Sequence, residues 1–478
     1  MQASRERVFG NLIWRFAERC GAQLVTFVVS LVLARMLEPQ IYGTVALITV
    51  FTTILQVFVD SGLGNALIQK KDADQKDFST VFYCNIAFCL VLYVLMYISA
   101  PVIADFYGDA DLIPLIRVLS ITIVISGIKN VQQAYVSRNL LFKKFFFSTL
   151  SGTLVAAVVG IYMAYTGFVV WALVAQQITN VDIDTLILWV SVKWRPSFQF
   201  SFSRLKGLFN YGSRLLFSAL LDTVYKNLNQ LIIGKLYSSS DLAFYNRGKQ
   251  FPDVFINNVN SSIDSVILPV MSKAQDDTES IKNMLRRSIK VSIYIIAPFM
   301  IGLAVVAPAF VKLILTETWL PCVPFLRVFC ITGMFYPIHT ANLNALKALG
   351  RSDIFLKLEI QKKVIDLTVL LIVMWFGVEA ILYSQLLLSI ISQLINTAPN
   401  KKILNYGYMN QLKDILPAIG LALGMGAVVS FVPLLQLSTG ATLLLQMLVG
   451  AIVYVAGSYV FKIDSFTYLL EIVDKRKK

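Results

Sequence analysis

Charged residues are scarce in this chain of 478 residues. Asp, Glu, Lys and Arg together make up 15% of the sequence, whereas hydrophobic residues make up 57% and the mean hydropathy is +0.69. A soluble domain carries roughly a quarter charged residues. The composition therefore excludes an ordinary soluble protein and indicates a chain that lies largely within a lipid bilayer.

Residue types that hold metals, form crosslinks or bind nucleotides are also rare. The chain has one His and five Cys, and the Cys lie in or beside apolar runs without a CxxC pair. No zinc site and no disulfide framework is expected from this pattern. The GxxxxGK[ST] pattern is absent, so ATP binding by that route is not expected either. We predict no cofactor and no metal site.

Apolar runs long enough to span a bilayer recur along the whole chain. A spanning helix needs about 20 mostly apolar residues, and we count fourteen such runs. They cover residues 12–37, 42–69, 79–104, 112–137, 146–166, 168–192, 208–236, 241–271, 285–315, 320–348, 354–376, 378–399, 412–434 and 439–461. No connection between them exceeds about twenty residues, which leaves no room for a soluble catalytic domain.

An internal repeat relates two of these regions. Residues 33–69 align without a gap with residues 233–269, which places Arg35 on Lys235 and Asp60 on Asn260. Internal symmetry in a hydrophobic chain is typical of transporters built from two related halves. We predict an all-α polytopic membrane protein with about fourteen transmembrane helices, in two pseudo-symmetric six-helix lobes plus two C-terminal helices. The predicted domains are an N-terminal lobe (1–194), a cytoplasmic inter-lobe linker (195–207), a C-terminal lobe (208–400), and two further helices with a basic cytoplasmic tail (401–478).

The basic residues are distributed unevenly between alternate loops. The net charge is +14, yet the connections at 38–40, 108–111, 166–167, 238–241 and 436–438 contain no Lys or Arg. Because Lys and Arg concentrate in cytoplasmic loops, both termini are predicted to lie in the cytoplasm and the membrane to be an inner membrane. Nucleic acid is not an expected partner, since no soluble domain carries a basic patch.

Polar residues recur at helical spacing inside four of the apolar runs. They follow one another every three or four residues on the first, second, seventh and eighth runs, which are related in pairs by the repeat. One interpretation is a water-filled cavity between the lobes; the other is hydrogen bonding between helices in a dry core. The candidate stripe residues for a cavity are Gln23, Gln56, Asn229, Asp253 and Asn257.

Ionisable residues inside the apolar runs are candidates for ion coupling. Asp222 and Lys226 are four residues apart, which fits either a self-neutralising ion pair or a titratable switch. Asp60 has no cation one turn away on its own helix, so a partner would have to come from another helix. Glu18, on the polar stripe of the first run, is the fourth candidate.

Several segments resemble a known family. The stretches LARMLEPQIYGTVAL, DSGLGNALIQKKD, FSTVFYCN and ILPVMSKAQDD, spread in order over nearly the whole chain, resemble the Wzx-type polysaccharide exporters. That group contains the colanic acid and teichuronic acid exporters and belongs to the multidrug/oligosaccharidyl-lipid/polysaccharide exporter superfamily. The resemblance implies two six-helix lobes and a flippase that moves undecaprenyl-pyrophosphate-linked oligosaccharide repeat units from the cytoplasmic to the periplasmic leaflet, as a monomer.

A shorter segment suggests where the pyrophosphate binds. Phe244-Tyr245-Asn246-Arg247, with Pro252 five residues on, is similar to the eighth-helix signature of the related lipid II flippases. In that family the arginine faces the phosphates, so the resemblance implies this role for Arg247. An arginine fork suits a pyrophosphate because it donates several charge-assisted hydrogen bonds. The further cationic candidates are Arg15, Arg19, Arg214 and Lys249.

The expected mechanism is alternating access, without a covalent step, so no enzyme activity is predicted. A polysaccharide polymerase and a chain-length regulator are candidate partners beside the lipid-linked substrate and the bilayer. Two other functions fit less well. A drug/cation antiporter of the same superfamily would need an anionic cavity, whereas this one is rich in Arg. An integral-membrane polysaccharide polymerase or ligase would need long periplasmic loops with Arg or His, which are not found in the sequence.

Overall fold

The computed structural model describes residues 2–60, 63–70 and 72–477, except for the side chains of residues 2–13, 15, 16, 19, 208, 210–212, 214, 262, 266 and 472–477. Over these residues the chain is all helical, with no β-strand. The chain divides into two compact units, residues 1–243 and 244–478. We call these the first and second unit and describe each by itself.

The first unit contains nine helices and the start of a tenth. They are α1 (Gln2–Met36), α2 (Pro39–Asp60), α3 (Leu63–Gln69), α4 (Gln75–Tyr107), α5 (Leu112–Leu119), α6 (Ile121–Arg138), α7 (Phe142–Tyr165), α8 (Val169–Ser191), α9 (Phe202–Leu236) and α10 (Ser239–Lys273). The boundary between the units falls within α10.

The second unit contains the rest of α10 and eight further α-helices. They are α11 (Thr278–Ile314), α12 (Val323–Met334), α13 (Tyr336–Ala348), α14 (Ser352–Val373), α15 (Val378–Leu404), α16 (Tyr408–Ser430), α17 (Thr439–Val460) and α18 (Asp464–Lys477), with 3-10 turns at Glu317–Cys322 and Val432–Leu435.

Each of the fourteen predicted apolar runs coincides with helix. Three of the runs are interrupted: the fourth is divided into α5 and α6, the tenth into a 3-10 turn, α12 and α13, and the thirteenth into α16 and a 3-10 turn. The second run carries α2 and α3 on either side of residues 61–62, which lie outside the described residues. Pro337 stands in the first turn of α13, where its missing N–H and fixed φ are compatible with a helix start. The chain after the fourteenth run forms helix α18 over residues 464–477, and the basic cytoplasmic tail stays a prediction.

By length and composition, nine helical segments of the described chain can cross a membrane. They are α2–α3, α4, α5–α6, α7, α11, α12–α13 with its preceding turn, α15, α16 and α17. The polar stripes of α1, α9 and α10 and the charges of α8 and α14 lower the hydropathy of the other five. The number fourteen therefore stays a prediction. Large apolar side chains such as Val102, Tyr165 and Val190 are more than 70% exposed, as expected of surfaces that face lipid.

The core of the first unit is built from aromatic and branched side chains. Phe78 and Phe82 of α4 pack against Trp194, with ring centroids 5.8 and 6.0 Å apart. A second cluster, with Val29, Leu33, Val45 and Leu173 among its members, joins α1, α2, α7 and α8. These contacts fix α2 and α8 in the first unit, and both helices carry residues of the site described below.

The chain between α8 and α9 is fastened to the start of α4 by polar contacts. Arg204 Nη1 lies 2.5 Å from Asp74 Oδ1 and 3.3 Å from Asp77 Oδ1, and Lys70 Nζ lies 2.7 Å from Asp77 Oδ2. The hydrogen bond from Arg204 lowers the pKa of Asp74 to about 2. The Ser201 amide also donates to Thr80 Oγ1 at 3.1 Å. This part of the predicted linker is thus held by the first unit; the lobe boundaries themselves stay a prediction.

In the second unit, α11 packs against α12, α13, α16 and α17. A buried amide network lies among α13, α15 and α16, with Gln411 at its centre. Gln411 Oε1 accepts from Asn342 Nδ2 at 3.0 Å and from Gln393 Nε2 at 3.3 Å, and Gln411 Nε2 donates to Asn342 Oδ1 at 2.8 Å. Such amides replace hydration that is not available in an apolar core.

Candidate functional site

A cavity of about 330 Å³ lies in the first unit among α2, α8 and α9. Its polar lining residues are spaced about one helical turn apart on α2 and on α9, whereas the two on α8 are adjacent. We call it the polar pocket and define it by Thr49, Thr53, Gln176, Gln177, Asn227 and Gln230. The remaining lining residues are Tyr42, Val45, Ala46, Val50 and Leu173, so none of the eleven is charged.

Some hydrogen bonds connect the residues of the polar pocket with one another. Gln177 Nε2 donates to Thr49 Oγ1 at 3.3 Å, which links α8 to α2. Gln230 Nε2 donates to Asn227 Oδ1 at 3.2 Å, and Asn227 Nδ2 donates to the Thr223 carbonyl at 2.8 Å. These bonds orient three amides toward one cavity with only part of their donors and acceptors engaged.

Small residues let the helices around the polar pocket approach closely. A Cβ at Gly43, one residue after Tyr42, would lie 1.6 Å from the carbonyl oxygen of Ser239. A Cβ at Gly234 of α9 would lie 2.8 Å from Leu47 Cδ1 of α2, and one at Gly160 of α7 would lie 3.1 Å from Gln176 Cβ. Glycine at these positions allows the tight packing of helices that small residues give in membranes.

Arg247 is buried in the second unit, with 4% of its surface exposed. Its Nη1 donates to Gln250 Oε1 at 2.8 Å, and its guanidinium lies 5.1 Å from the ring centroid of Trp319, which is fully buried. The next residue, Gly248, brings α10 against α12, because a Cβ there would lie 2.5 Å from Phe325 Cβ. Arg247 is therefore a guanidinium in a fixed aromatic environment, as a cation–π contact requires.

The other candidates on α10 follow the same helix. Lys249 lies one turn before Asp253, and the two interact electrostatically. Both are half-buried, whereas Asn257 is exposed. Their roles stay a prediction.

The ion-coupling candidates of the first unit lie in three places, two of which are the end of α2 and the middle of α9; the third, Glu18 on α1, is described below. Asp60 is exposed at the end of α2 and accepts from Gln56 Nε2 at 3.1 and 3.2 Å. Lys226 Nζ lies 2.7 Å from Asp222 Oδ2, so the two side chains form the intrahelical ion pair that their spacing allows. Both are accessible, with 70% and 42% of their side chains exposed, which makes such a pair weak.

The remaining candidates on α1 and α9 are only partly described. Glu18 accepts from Thr149 Oγ1 at 3.5 Å, Gln23 is exposed and Asn229 is half-buried. The side chains of Arg15, Arg19 and Arg214 lie outside the described part of the chain, and their roles stay predictions. Among the described residues, no group of three or more His, Cys, Asp or Glu is arranged to hold a metal ion.

Sequence reasoning missed two features of this region. The amides of the polar pocket lie on α8 and on positions of α9 beside the predicted stripe. The available signal was the pair of adjacent Gln within the sixth apolar run. The second feature is a buried ion pair between α6 and α8, where Lys129 Nζ lies 3.1 Å from Asp184 Oδ2. Both side chains are nearly enclosed, with 14% and 10% exposed.

The fold is that of a known class of membrane transporter. The structure matches that of a lipid II flippase MurJ in an inward closed conformation with a TM-score of 0.74, at 16% identity, over 95% of this chain and 99% of that chain. It also matches an inward-facing multidrug resistance MATE family transporter of the MOP superfamily with a TM-score of 0.62, at 15% identity, over 82% of this chain and 100% of that chain. The protein is thus a multi-pass membrane protein with the MurJ and MATE fold.

Within this class the sequence identifies the family. The model of the family described as "Polysaccharide biosynthesis protein" matches residues 32–324, and the chain belongs to that family. It is 31% identical to the teichuronic acid biosynthesis protein TuaB of Bacillus subtilis over 311 residues, which are 63% of each chain. It is 24% identical to the lipopolysaccharide biosynthesis protein WzxC of Escherichia coli, over 69% of this chain and 68% of that protein. The resemblance to Wzx-type exporters is confirmed.

Proposed function

We propose that this protein is a flippase that moves undecaprenyl-pyrophosphate-linked oligosaccharide repeat units across the bacterial inner membrane for cell-surface polysaccharide export. The observation that carries the proposal is the fold of a lipid II flippase in a chain of the polysaccharide biosynthesis family. A lipid-linked sugar has a charged headgroup that hydrocarbon does not solvate, so it needs a protein path to cross the membrane. The polar residues within the helices supply such a path.

Alternating access is the mechanism that this fold supports best. MATE transporters of the same fold have been solved in inward-facing and outward-facing conformations, with TM-scores of 0.62 and 0.51 to this structure. In the proposed cycle the lobes 1–194 and 208–400 move relative to each other, the polyprenyl tail stays in lipid and the headgroup crosses between them. No bond is made or broken, so the protein acts as a transporter and not as an enzyme.

Arg247 is the proposed contact for the pyrophosphate. Its guanidinium is buried against Trp319 and fixed by Gln250, so it is pre-oriented. A charge-assisted donor of this kind compensates an anion that leaves water. Arg15, Arg19, Arg214 and Lys249 are the supplementary cations of the proposal, and Asp60, Asp222, Lys226 and Glu18 are its candidates for ion coupling. Both termini are placed in the cytoplasm on the loop charges.

The test is leaflet-resolved flipping of the undecaprenyl-pyrophosphate-linked repeat unit in proteoliposomes. The intact protein is compared with Arg247→Ala, with Arg247→Lys and with the control Arg351→Ala, which removes an exposed guanidinium paired to Asp353 at 3.1 Å. We expect flipping by the intact protein and by the control, a loss of about tenfold or more in Arg247→Ala, and an intermediate rate in Arg247→Lys.

The outcomes separate the function from the site. Absence of flipping by a folded sample of the intact protein would overturn the proposed function. Flipping that is unchanged in Arg247→Ala would leave the function standing and remove Arg247 from the pyrophosphate site. Repeating the assay with an imposed proton or sodium gradient identifies the driving ion.

A further inference from the structure

The polar pocket of the first unit is a neutral cavity inside a chain that carries +14 net charges. We propose that it binds a sugar ring of the lipid-linked oligosaccharide and so contributes to the choice of repeat unit. This inference rests on the proposed function and assigns a different part of the substrate to a different place: the sugar to the polar pocket, the pyrophosphate to Arg247.

Several polar groups of the polar pocket have no partner among the described residues. No hydrogen bond is found there for the side chains of Gln176 or Thr53, and the carbonyl oxygens of Gln177 and Gln230 accept none, although their Nε2 atoms are engaged. Gln176, Gln177 and Gln230 are half-buried, and Thr53 is exposed. Polar groups that are partly removed from water carry a cost unless they are hydrogen-bonded. Their convergence on one cavity indicates that water or a ligand supplies the missing partners.

The second unit of the same chain shows what a purely structural amide looks like. Gln411 is buried, with 1% exposed, and both ends of its amide are engaged by Asn342, Gln393 and Thr397. That network joins α13, α15 and α16. Gln176 differs because it lines a cavity and its amide forms no hydrogen bond with the neighbouring amides that the structure describes. Helix-to-helix hydrogen bonding therefore explains Gln411 and does not explain Gln176.

The chemistry of the lining favours a neutral, hydroxyl-rich ligand. Amide and hydroxyl groups can both donate to and accept from sugar hydroxyls. A pyrophosphate would find no cation in the lining, and a cationic drug would find no carboxylate. Apolar side chains on the same wall, Val45 and Leu173 among them, can contact the C–H faces of a ring.

The size of the cavity limits what can enter. Ligand pockets usually have volumes of about 300 to 1,000 Å³, and the polar pocket, at about 330 Å³, lies at the lower end of that range. We therefore assign it one sugar unit of the repeat and not the whole oligosaccharide. A site that hydrogen-bonds a particular hydroxyl discriminates strongly against a ligand that lacks it.

The experiment compares the intact protein with two pocket variants and one control variant, each with two lipid substrates. Thr53→Val and the double variant Gln176→Leu/Gln230→Leu alter the polar pocket. Thr52→Val is the matched control, because Thr52 is buried, donates to the Thr49 carbonyl at 3.0 Å and does not line the cavity. Binding is measured by native mass spectrometry, and flipping in proteoliposomes, with the undecaprenyl-pyrophosphate-linked repeat unit and with sugar-free undecaprenyl pyrophosphate.

We expect the double variant to bind and flip the oligosaccharide-bearing lipid about thirtyfold less well, the value for losing two net hydrogen bonds. Thr53→Val should show a smaller loss, Thr52→Val none, and the sugar-free lipid should bind all forms equally. Equal losses for both lipids would assign the pocket a structural role and overturn the inference. The inference would also be overturned if the pocket variants bound and flipped the oligosaccharide-bearing lipid as well as the intact protein does. Flipping by the intact protein would in that case keep the proposed function.

Lack of flipping by the intact protein, in samples that melt cooperatively, would instead count against the proposed function. The binding measurement by native mass spectrometry still tests the sugar site in that case. If the intact protein retains the oligosaccharide-bearing lipid more tightly than the sugar-free lipid, and the double variant loses that preference, the sugar site stands. If neither form distinguishes the two lipids, the sugar site is wrong.

Discussion

Gly43 leaves no room for a side chain beside Ser239, because a Cβ at residue 43 would lie 1.6 Å from the Ser239 carbonyl oxygen. The starts of α2 and α10 thus touch backbone to backbone. These starts also correspond to each other in the internal repeat, where residue 39 aligns with residue 239. The contact lies one residue from Tyr42 and so borders the polar pocket.

We expect Gly43→Val to force the two helix starts apart and to lower stability by about 1–3 kcal/mol, as for other overpacked sites. The measurement is the thermal unfolding midpoint in detergent. Gly424→Val in α16 is the control, because no heavy atom lies within 4 Å of a Cβ placed there. Equal midpoints for the two variants would show that the contact between residues 43 and 239 is not tight in solution.

The Lys129–Asp184 pair gives a second prediction. Both side chains are nearly buried and only 3.1 Å apart, so Lys129→Met should leave a buried carboxylate without its cation and cost about 3–5 kcal/mol. The double variant Lys129→Met/Asp184→Leu should recover most of that loss, because two buried charges are replaced by apolar groups. The unfolding midpoints of Lys129→Met, of Asp184→Leu, of the double variant and of the intact protein form a double-mutant cycle.

Additive losses, in which the double variant loses as much stability as Lys129→Met and Asp184→Leu together, would contradict a direct pair. The exposed pair Asp222–Lys226 is the comparison within the same unit. Lys226→Met should change the midpoint little, since exposed ion pairs contribute about 0–1 kcal/mol.

The contact of Arg204 with Asp74 predicts a pH dependence. Because the pKa of Asp74 is lowered to about 2 in the folded protein, its contribution to stability is present above its ordinary pKa of about 3.9 and is lost as the pH falls toward 2. We expect pepsin to cut residues 192–201 faster as the pH falls from 4 to 2. In Arg204→Ala the segment should be cut rapidly already at pH 4.

An unfolded substrate digested in parallel corrects for the pH dependence of pepsin itself. Arg351→Ala, which removes an exposed partner of Asp353, should keep the profile of the intact protein. A profile that Arg204→Ala leaves unchanged would show that Arg204 does not hold this segment.

The helices could be predicted from the sequence because apolar runs in a membrane chain have few alternatives to helix. The break between α5 and α6 could not, since Ser120 lies in an apolar run that continues on both sides of it. Arg247 was found through a resemblance, whereas its contact with Trp319, 72 residues later, depends on tertiary packing. The polar pocket was missed because Gln176 and Gln177 are adjacent on one helix and acquire their common cavity only when α2 and α9 pack beside them.

The neutral lining of the polar pocket also bears on the electrical work of transport. A sugar ring that binds there brings no charge and meets none, so its passage is insensitive to membrane voltage. In the proposed cycle the charge displaced per turnover is that of the pyrophosphate, of any charged sugar and of any coupled ion. Each elementary charge that crosses gains or loses about 2.3 kcal/mol per 100 mV. With a negative cell interior, outward movement of the anionic headgroup is favoured by the resting potential, and each neutral sugar attached to it adds nothing to that work.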